Sequence, residues 1–285
     1  MTSPRALLSA WNLSPKKQFG QNFLSDPSTA EMIVSRAGIS EEDIVLEVGA
    51  GLGALTVPIA MTANTVYAVE KDRNLLPLLQ SELLAKKLDN ILILNENILD
   101  VDIESLAAKH GRRISVMGNL PYNISSQILI KLIIQRDFVN RAVLMFQKEL
   151  SERICAKPGG KDYGRISVML QYCAGITKIA DVKASLFFPK PRVDSQIIEI
   201  KFRETPVFPA DNEKFLFSVI KAAFGKRRKT LKNSLSGSGL GIDANIANAI
   251  LNKAGIDPVR RAETLTVEEF VKLSNSFEQS AGGGL

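Results

Sequence analysis

Between about residue 44 and residue 147, short β-branched and aliphatic runs alternate with longer stretches of helical spacing. The runs predict strands over 44–48, 65–70, 91–94, 114–118 and 142–146, and the stretches between them predict helices over 54–61, 74–86 and 125–134. Such alternation argues for a parallel sheet with helices on its faces. Pro77 is expected to sit in the first turn of its helix, where the missing N–H costs nothing, or to bend the helix. Ahead of the first strand, Asp26-Pro27 reads as an N-cap followed by a first helical residue, and Gly38 as the stop.

After residue 147 the pattern predicts a helix carrying Glu149 and Arg153, a loop at Pro158-Gly159-Gly160 and an amphipathic stretch over 166–173. Strands over 176–182 and 195–202 flank a proline-rich segment at 187–192. Residues 204–209 resemble a linker, and beyond them helices are expected over 212–224, 229–235, 244–254 and 267–277. Thr266 and Glu269 form a capping box for the last of these. The expected architecture is a Rossmann-like α/β domain over 1–205 and a small helical domain over 206–285.

Composition narrows the chemistry. The 285 residues are 45% hydrophobic and 23% charged, which suits about two globular domains and not a disordered chain. Cys155, Cys173 and the single histidine, His110, cannot build a disulfide framework or a Cys/His zinc site. His110 itself is expected to be an incidental surface residue. The chain carries 36 basic and 30 acidic residues, and six of the basic ones stand together: Lys221, Lys226, Arg227, Arg228, Lys229 and Lys232. Without them the two signs balance, so the positive character is local, as on a surface that meets an anionic polymer. No apolar run approaches the length of a membrane span and the first 15 residues lack a signal-like apolar core. A cytoplasmic monomer is expected, with a disordered Gly282–Leu285 end.

Leu46-Glu47-Val48-Gly49-Ala50-Gly51-Leu52-Gly53 leads off the first strand into a helix. Glycines such as Gly49 and Gly51 permit a sharp turn and close approach of a ligand to the backbone. Glu70 ends the next strand, 21 residues after Gly49, where a carboxylate can accept from both hydroxyls of a ribose. These features indicate a nucleoside cofactor without naming it; Gly49, Gly51 and Ala54 also satisfy the dinucleotide form, so NAD stays open.

Val116-Met117-Gly118-Asn119-Leu120-Pro121-Tyr122 follows another strand and so belongs at the same sheet edge. The Asn119 side-chain oxygen and the Leu120 carbonyl can each accept from an exocyclic amine, and Tyr122 offers a face on which a base can stack. Holding both amino hydrogens draws the nitrogen lone pair out of conjugation and makes it nucleophilic.

The glycine turn, Glu70 and Asn119-Leu120-Pro121-Tyr122 resemble those of the small-subunit (16S) ribosomal RNA adenine N6,N6-dimethyltransferases. Three more stretches share the resemblance: Lys17-Gln18-Phe19-Gly20-Gln21-Asn22-Phe23-Leu24, Phe187-Phe188-Pro189-Lys190-Pro191-Arg192-Val193-Asp194-Ser195, and the basic segment over 224–235. The resemblance implies S-adenosyl-L-methionine as cofactor, and dimethylation of two adjacent adenosines in a hairpin near the 3′ end of small-subunit rRNA. The partner would be a 30S precursor. It also implies cofactor contacts at Asn22, Leu24, Gly49, Glu70 and Asn119, a base sandwich between Tyr122 and Phe187, and RNA binding by the basic segment. The N-terminal segment over 16–25 is expected to close over the cofactor. Asn97 stands where the family usually has an aspartate facing the cofactor adenine, with Asp100 as a nearby substitute. Competing readings are a large-subunit rRNA adenine methyltransferase of the macrolide-resistance type, a non-catalytic ribosome assembly factor, and an NAD-dependent oxidoreductase.

Overall fold

Ile44–Val48, which we label β2, is buried at all five positions. A strand without an exposed face must be covered on both sides, and a parallel sheet between helical layers provides that. The computed structural model describes residues 3–226 and 228–281 and builds such a sheet. Its strands in chain order are β1 (Phe23–Leu24), β2, β3 (Thr65–Val69), β4 (Ile91–Leu94), β5 (Ile114–Asn119), β6 (Val139–Gln147), β7 (Ala174–Val182), β8 (Phe187–Phe188) and β9 (Ser195–Phe202). The helices are α1 (Pro4–Ala10), α2 (Pro27–Ala37), α3 (Thr56–Ala60), α4 (Leu76–Ala85), α5 (Ile103–His110), α6 (Ser125–Ile134), α7 (Lys148–Cys155), α8 (Arg165–Cys173), α9 (Glu213–Ala223), α10 (Leu231–Ser236), α11 (Ala244–Lys253) and α12 (Val267–Ala281).

Seven strands lie in the order β4-β3-β2-β5-β6-β9-β7; β1 and β8 form a separate two-stranded ribbon. The pairings from β4 to β6 are parallel, and β9 runs antiparallel to β6. The chain runs outward from β2 through β3 to β4, then returns to β5 on the other side of β2. That reversal opens a crevice at the carboxyl ends of β2 and β5, where open α/β sheets bind ligands. The core beneath it joins Val45, Val66, Met117, Val143 and Ile197 of the sheet to Ile33 of α2, Ile59 of α3 and Leu79 of α4.

The expected stops and starts hold at α2 and α12. Asp26 accepts from the Thr29 N–H at 2.9 Å, and Gly38 closes the helix with φ +61°. Thr266 and Glu269 exchange backbone-to-side-chain hydrogen bonds of 2.8 and 3.2 Å.

The chain divides into two compact units, 1–151 with 177–202, and 152–176 with 203–285. The second takes in more than the segment after residue 205. Its core explains why: Tyr172 of α8 meets Phe217 of α9 edge to face at 5.9 Å, and Tyr163 meets Phe224 at 6.4 Å, with Phe224 stacked on Phe270 at 5.8 Å. The aromatic residues around α8 complete a helical core that α9 and α12 alone leave open. The Gly282–Leu285 end lies outside the described residues.

Candidate active site

The segments at the ends of four strands, β2 to β5, and one N-terminal segment enclose a cavity of about 160 Å³. The glycine turn folds back across the end of β3, with the Gly49 and Ala50 N–H groups both donating to the Val69 carbonyl at 2.9 and 3.0 Å. Gly51, at φ +56°, would place a Cβ 3.3 Å from the Phe23 ring, so its missing side chain lets the N-terminal segment approach. Gly118 is more constrained. A Cβ there would lie 2.6 Å from the Val48 carbonyl oxygen, so the close approach of β2 and β5 beneath the crevice requires a glycine.

Glu70 is 8% exposed and faces the cavity. Its Oε2 accepts from the Gly51 N–H at 2.8 Å and its Oε1 from the Asp72 N–H at 2.7 Å. Burial raises its pKa above the ordinary value despite these donors. Glu47, which none of the sequence motifs singles out, sits on β2 in the same wall at 1% exposure. Burial pushes its carboxyl up to about 7 against the pull of the neighbouring Thr56 hydroxyl, with the Glu70 charge adding to the rise. Its Oε2 is buried and makes no hydrogen bond among the described residues. Its one mark in the sequence is that of a lone acid inside an otherwise aliphatic strand.

Residues 16–24 form a strap over this floor. Lys17–Phe19 make a 3-10 turn, Gly20 turns left-handed, and β1 pairs with β8 through Phe23–Phe188 and Leu24–Phe187. The Asn22 carbonyl accepts from Nδ2 of Asn119 at 2.8 Å. Because a carbonyl can only accept, this bond fixes the Asn119 amide with its nitrogen on the strap and leaves Oδ1 as the acceptor for anything else.

The Asn119–Tyr122 loop is held from several sides. The Leu120 N–H donates to the Met145 carbonyl at 3.3 Å, and the Pro121 carbonyl accepts from Ser125 Oγ at 3.0 Å and from the Ile124 N–H at 3.2 Å. The Tyr122 hydroxyl bonds Ser195 Oγ at 3.0 Å, anchoring a half-buried ring.

Asn22, Leu24, Gly49, Gly51, Glu70, Asn97, Asn119, Leu120 and Tyr122 all border this one cavity. Phe187 does not. Its backbone pairs with Leu24 and its ring, 4% exposed, joins the sheet core. Asn97 borders the cavity with Oδ1 3.3 Å from the Leu99 N–H, whereas Asp100 is exposed and outside the wall. His110 is half-buried away from the cavity, and its Nε2 bonds the Tyr67 hydroxyl at 2.8 Å, edge to face. In the second unit Lys221, Lys226, Arg228 and Lys229 are exposed and Lys232 half-buried; Arg227 lies outside the described residues. No cluster of metal-ligating side chains occurs among the described residues, and no helix among them is long and apolar enough to cross a membrane.

A family model described as ribosomal RNA adenine dimethylase matches residues 12–279, spanning both units. The chain belongs to that family. Members of the ribosomal RNA adenine dimethylase family use S-adenosylmethionine, and their common fold is a Rossmann-like methyltransferase sheet with helices near the C-terminus. A ribosomal RNA small subunit methyltransferase A from Desulforapulum autotrophicum is 55% identical over 277 residues, 97% of either chain. Among solved structures, a dimethyladenosine transferase from Plasmodium falciparum aligns at 25% identity with a TM-score of 0.77, covering 91% of this chain and 98% of that one. The 23S rRNA methyltransferase ErmE shares the fold at 24% identity and a TM-score of 0.66, over 90% of this chain and all of the other. Membership in the dimethylase family displaces the NAD-dependent reading.

The cavity suits the family's cofactor on its own atoms. Each Glu70 oxygen uses one lone pair on a backbone N–H and keeps another for a ribose hydroxyl. The unpartnered Glu47 oxygen suits the ammonium group of a methionyl moiety. The Asn97 amide can pair with an adenine.

Proposed function

We propose that this protein transfers methyl groups to N6 of two adjacent adenosines in a hairpin near the 3′ end of small-subunit rRNA, dimethylating each. The observation that carries the reading is the Asn119 amide, whose nitrogen is tied to Asn22 so that its oxygen is left to accept from an amine. The relatives' shared name favours the small-subunit substrate over the large-subunit one. Glu70 would hold the ribose, Glu47 the ammonium and Asn97 the adenine of S-adenosylmethionine, between the glycine turn and the strap. When bound, that cofactor supplies a methyl group on a positively charged sulfur, which departs neutral as S-adenosylhomocysteine.

The protein's own contribution is positioning and polarisation. Asn119 Oδ1 and the Leu120 carbonyl accept the two N6 hydrogens and aim the nitrogen lone pair; Tyr122 supports the ring face. The Pro121 carbonyl is already engaged by Ser125 and Ile124, which leaves Leu120 to offer the second acceptor. No strong base is needed, because the amine turns acidic as it gains a methyl group and gives its proton to solvent. Phe187 supports the site through its pairing with Leu24.

The strap over 16–25 closes the cofactor site, and the basic residues Lys221, Lys226, Arg227, Arg228, Lys229 and Lys232 of the helical domain after residue 205 hold RNA phosphates. The protein acts as a cytoplasmic monomer on a 30S precursor and takes part in small-subunit biogenesis.

The test is nucleoside mass spectrometry after incubation with S-adenosylmethionine and undermethylated 30S particles, beside large-subunit RNA. Dimethyladenosine in the small-subunit RNA, absent with Asn119→Ala, is the expected outcome. Product only in large-subunit RNA, or an Asn119→Ala variant with normal turnover, would sink the proposal.

A further inference from the structure

Asp72 lies outside the machinery just described, yet it touches both of its halves. Its carboxylate is buried, with the residue 3% exposed, and faces the strap. Oδ1 accepts from Lys16 Nζ at 2.7 Å and from the Asn74 N–H at 3.2 Å; Oδ2 accepts from Gln21 Nε2 at 3.0 Å. The Lys16 N–H in turn donates to Gln21 Oε1 at 2.7 Å, so both ends of the turn over 17–20 close onto one side chain. On its other side, the Asp72 N–H is the donor that holds Glu70 Oε1.

We propose that Asp72 is a positioning residue for methyl transfer: it latches the strap through Lys16 and Gln21, and the strap's Asn22 carbonyl then sets the orientation of the Asn119 amide. This rests on the function proposed above for Glu70 and Asn119. The chain of contacts is continuous, from the Lys16–Asp72 ion pair through Gln21 to the adjacent Asn22, and from Asn22 to Asn119. A released strap withdraws the carbonyl that distinguishes the amide's two ends, so Asn119 is free to present nitrogen instead of oxygen to the target amine. The latch therefore acts on turnover as well as on cofactor retention. Burial alone would raise the Asp72 carboxyl, but hydrogen bonds from Lys16 and Gln21 outweigh it and hold the group below its ordinary value, so it remains an anion able to keep its ammonium partner.

The experiment compares Asp72→Asn, Lys16→Met and the double variant of the full chain on undermethylated 30S particles. It reads kcat at saturating S-adenosylmethionine, KM for that cofactor, and amide hydrogen exchange over residues 17–22. Each single variant is expected to raise KM about tenfold, to lower kcat several-fold, and to speed exchange across the strap; the double variant should do little more than either single. Reversing the pair, as Lys16→Asp with Asp72→Lys, should restore part of the exchange protection. Lys16 is a third exposed, so Lys16→Met keeps the test open should Asp72→Asn fail to fold. Single variants with wild-type kcat and exchange, or effects that simply add, would overturn the latch. Glu70→Gln and Asn119→Ala run in parallel: if they too behave as wild type, the reading of the site itself falls, whereas their inactivity beside unaffected latch variants rejects only the role of Asp72.

Discussion

A carboxylic acid inside an aliphatic strand costs stability once it ionises, and Glu47 is such a residue. Its ordinary value is 4.5 and burial lifts it to about 7 in the folded chain. The folded state therefore favours the proton. Its contribution is whole below about pH 4.5 and is lost as pH rises through 7, a difference on the order of 3 kcal/mol. Glu47→Gln retains the shape and removes the titration. Thermal melts from pH 5 to 8 should show the wild type losing ground to the variant as pH rises, and calorimetry should show the variant binding S-adenosylmethionine about tenfold more weakly. Parallel melting curves would mean that burial of the carboxyl carries no penalty. Asn97 makes a second case at this scale. An aspartate there would add charge to the acceptor facing an adenine amine, so Asn97→Asp should tighten cofactor binding several-fold by equilibrium titration, while Asp100→Ala, outside the wall, should leave it within about twofold.

Among elements, the contact of β5 with β2 sets the geometry of Asn119. Gly118→Ala would drive a methyl group into Val48, 2.6 Å from its carbonyl oxygen and 3.0 Å from its Cβ, neither of them the end of a flexible side chain. Denaturant melts should show destabilisation by about 1–3 kcal/mol, with turnover falling by more than that figure implies, since Asn119 is the next residue. Gly239→Ala, whose Cβ would meet nothing within 4 Å, should unfold like the wild type. The sheet was legible because β2 to β5 carry aliphatic runs with partners close in sequence. The start of β6 was not: the strand expected over 142–146 begins at Val139, ahead of the polar Asn140 and Arg141. In the fold, Arg141 directs its charge at the Ala37 and Gly38 carbonyls, at 2.6 and 2.7 Å, and at Asp43. The β1–β8 ribbon is two residues long on each side, too short for any periodicity, so the packing of Phe187 could not be read from its motif. The motifs marked which residues gather at the cavity; they did not show that Lys16, Gln21 and Asp72 fasten it, since those side chains meet only after folding.

For the molecule as a whole, a surplus of six positive charges matches a single stretch of sequence in the second unit. Arg228→Ala with Lys229→Ala should weaken rRNA binding at physiological salt. The slope of log affinity against log salt should fall by about one for each phosphate that the variant no longer neutralises. Filter binding over a salt series measures both, and an unchanged slope would place the RNA elsewhere.

The ribbon that ties Phe23–Leu24 to Phe187–Phe188 also sets a timetable. A chain grows at about 5–20 residues per second, so the early half of the ribbon waits roughly ten to thirty seconds for its partner to be made. During that interval β2 to β6 can assemble and the glycine turn can form, but β1 has no strand to pair with and Tyr122 has no Ser195. The residues of the floor are thus made before those that secure its roof. Closure of the site therefore depends on residues in the last third of the chain.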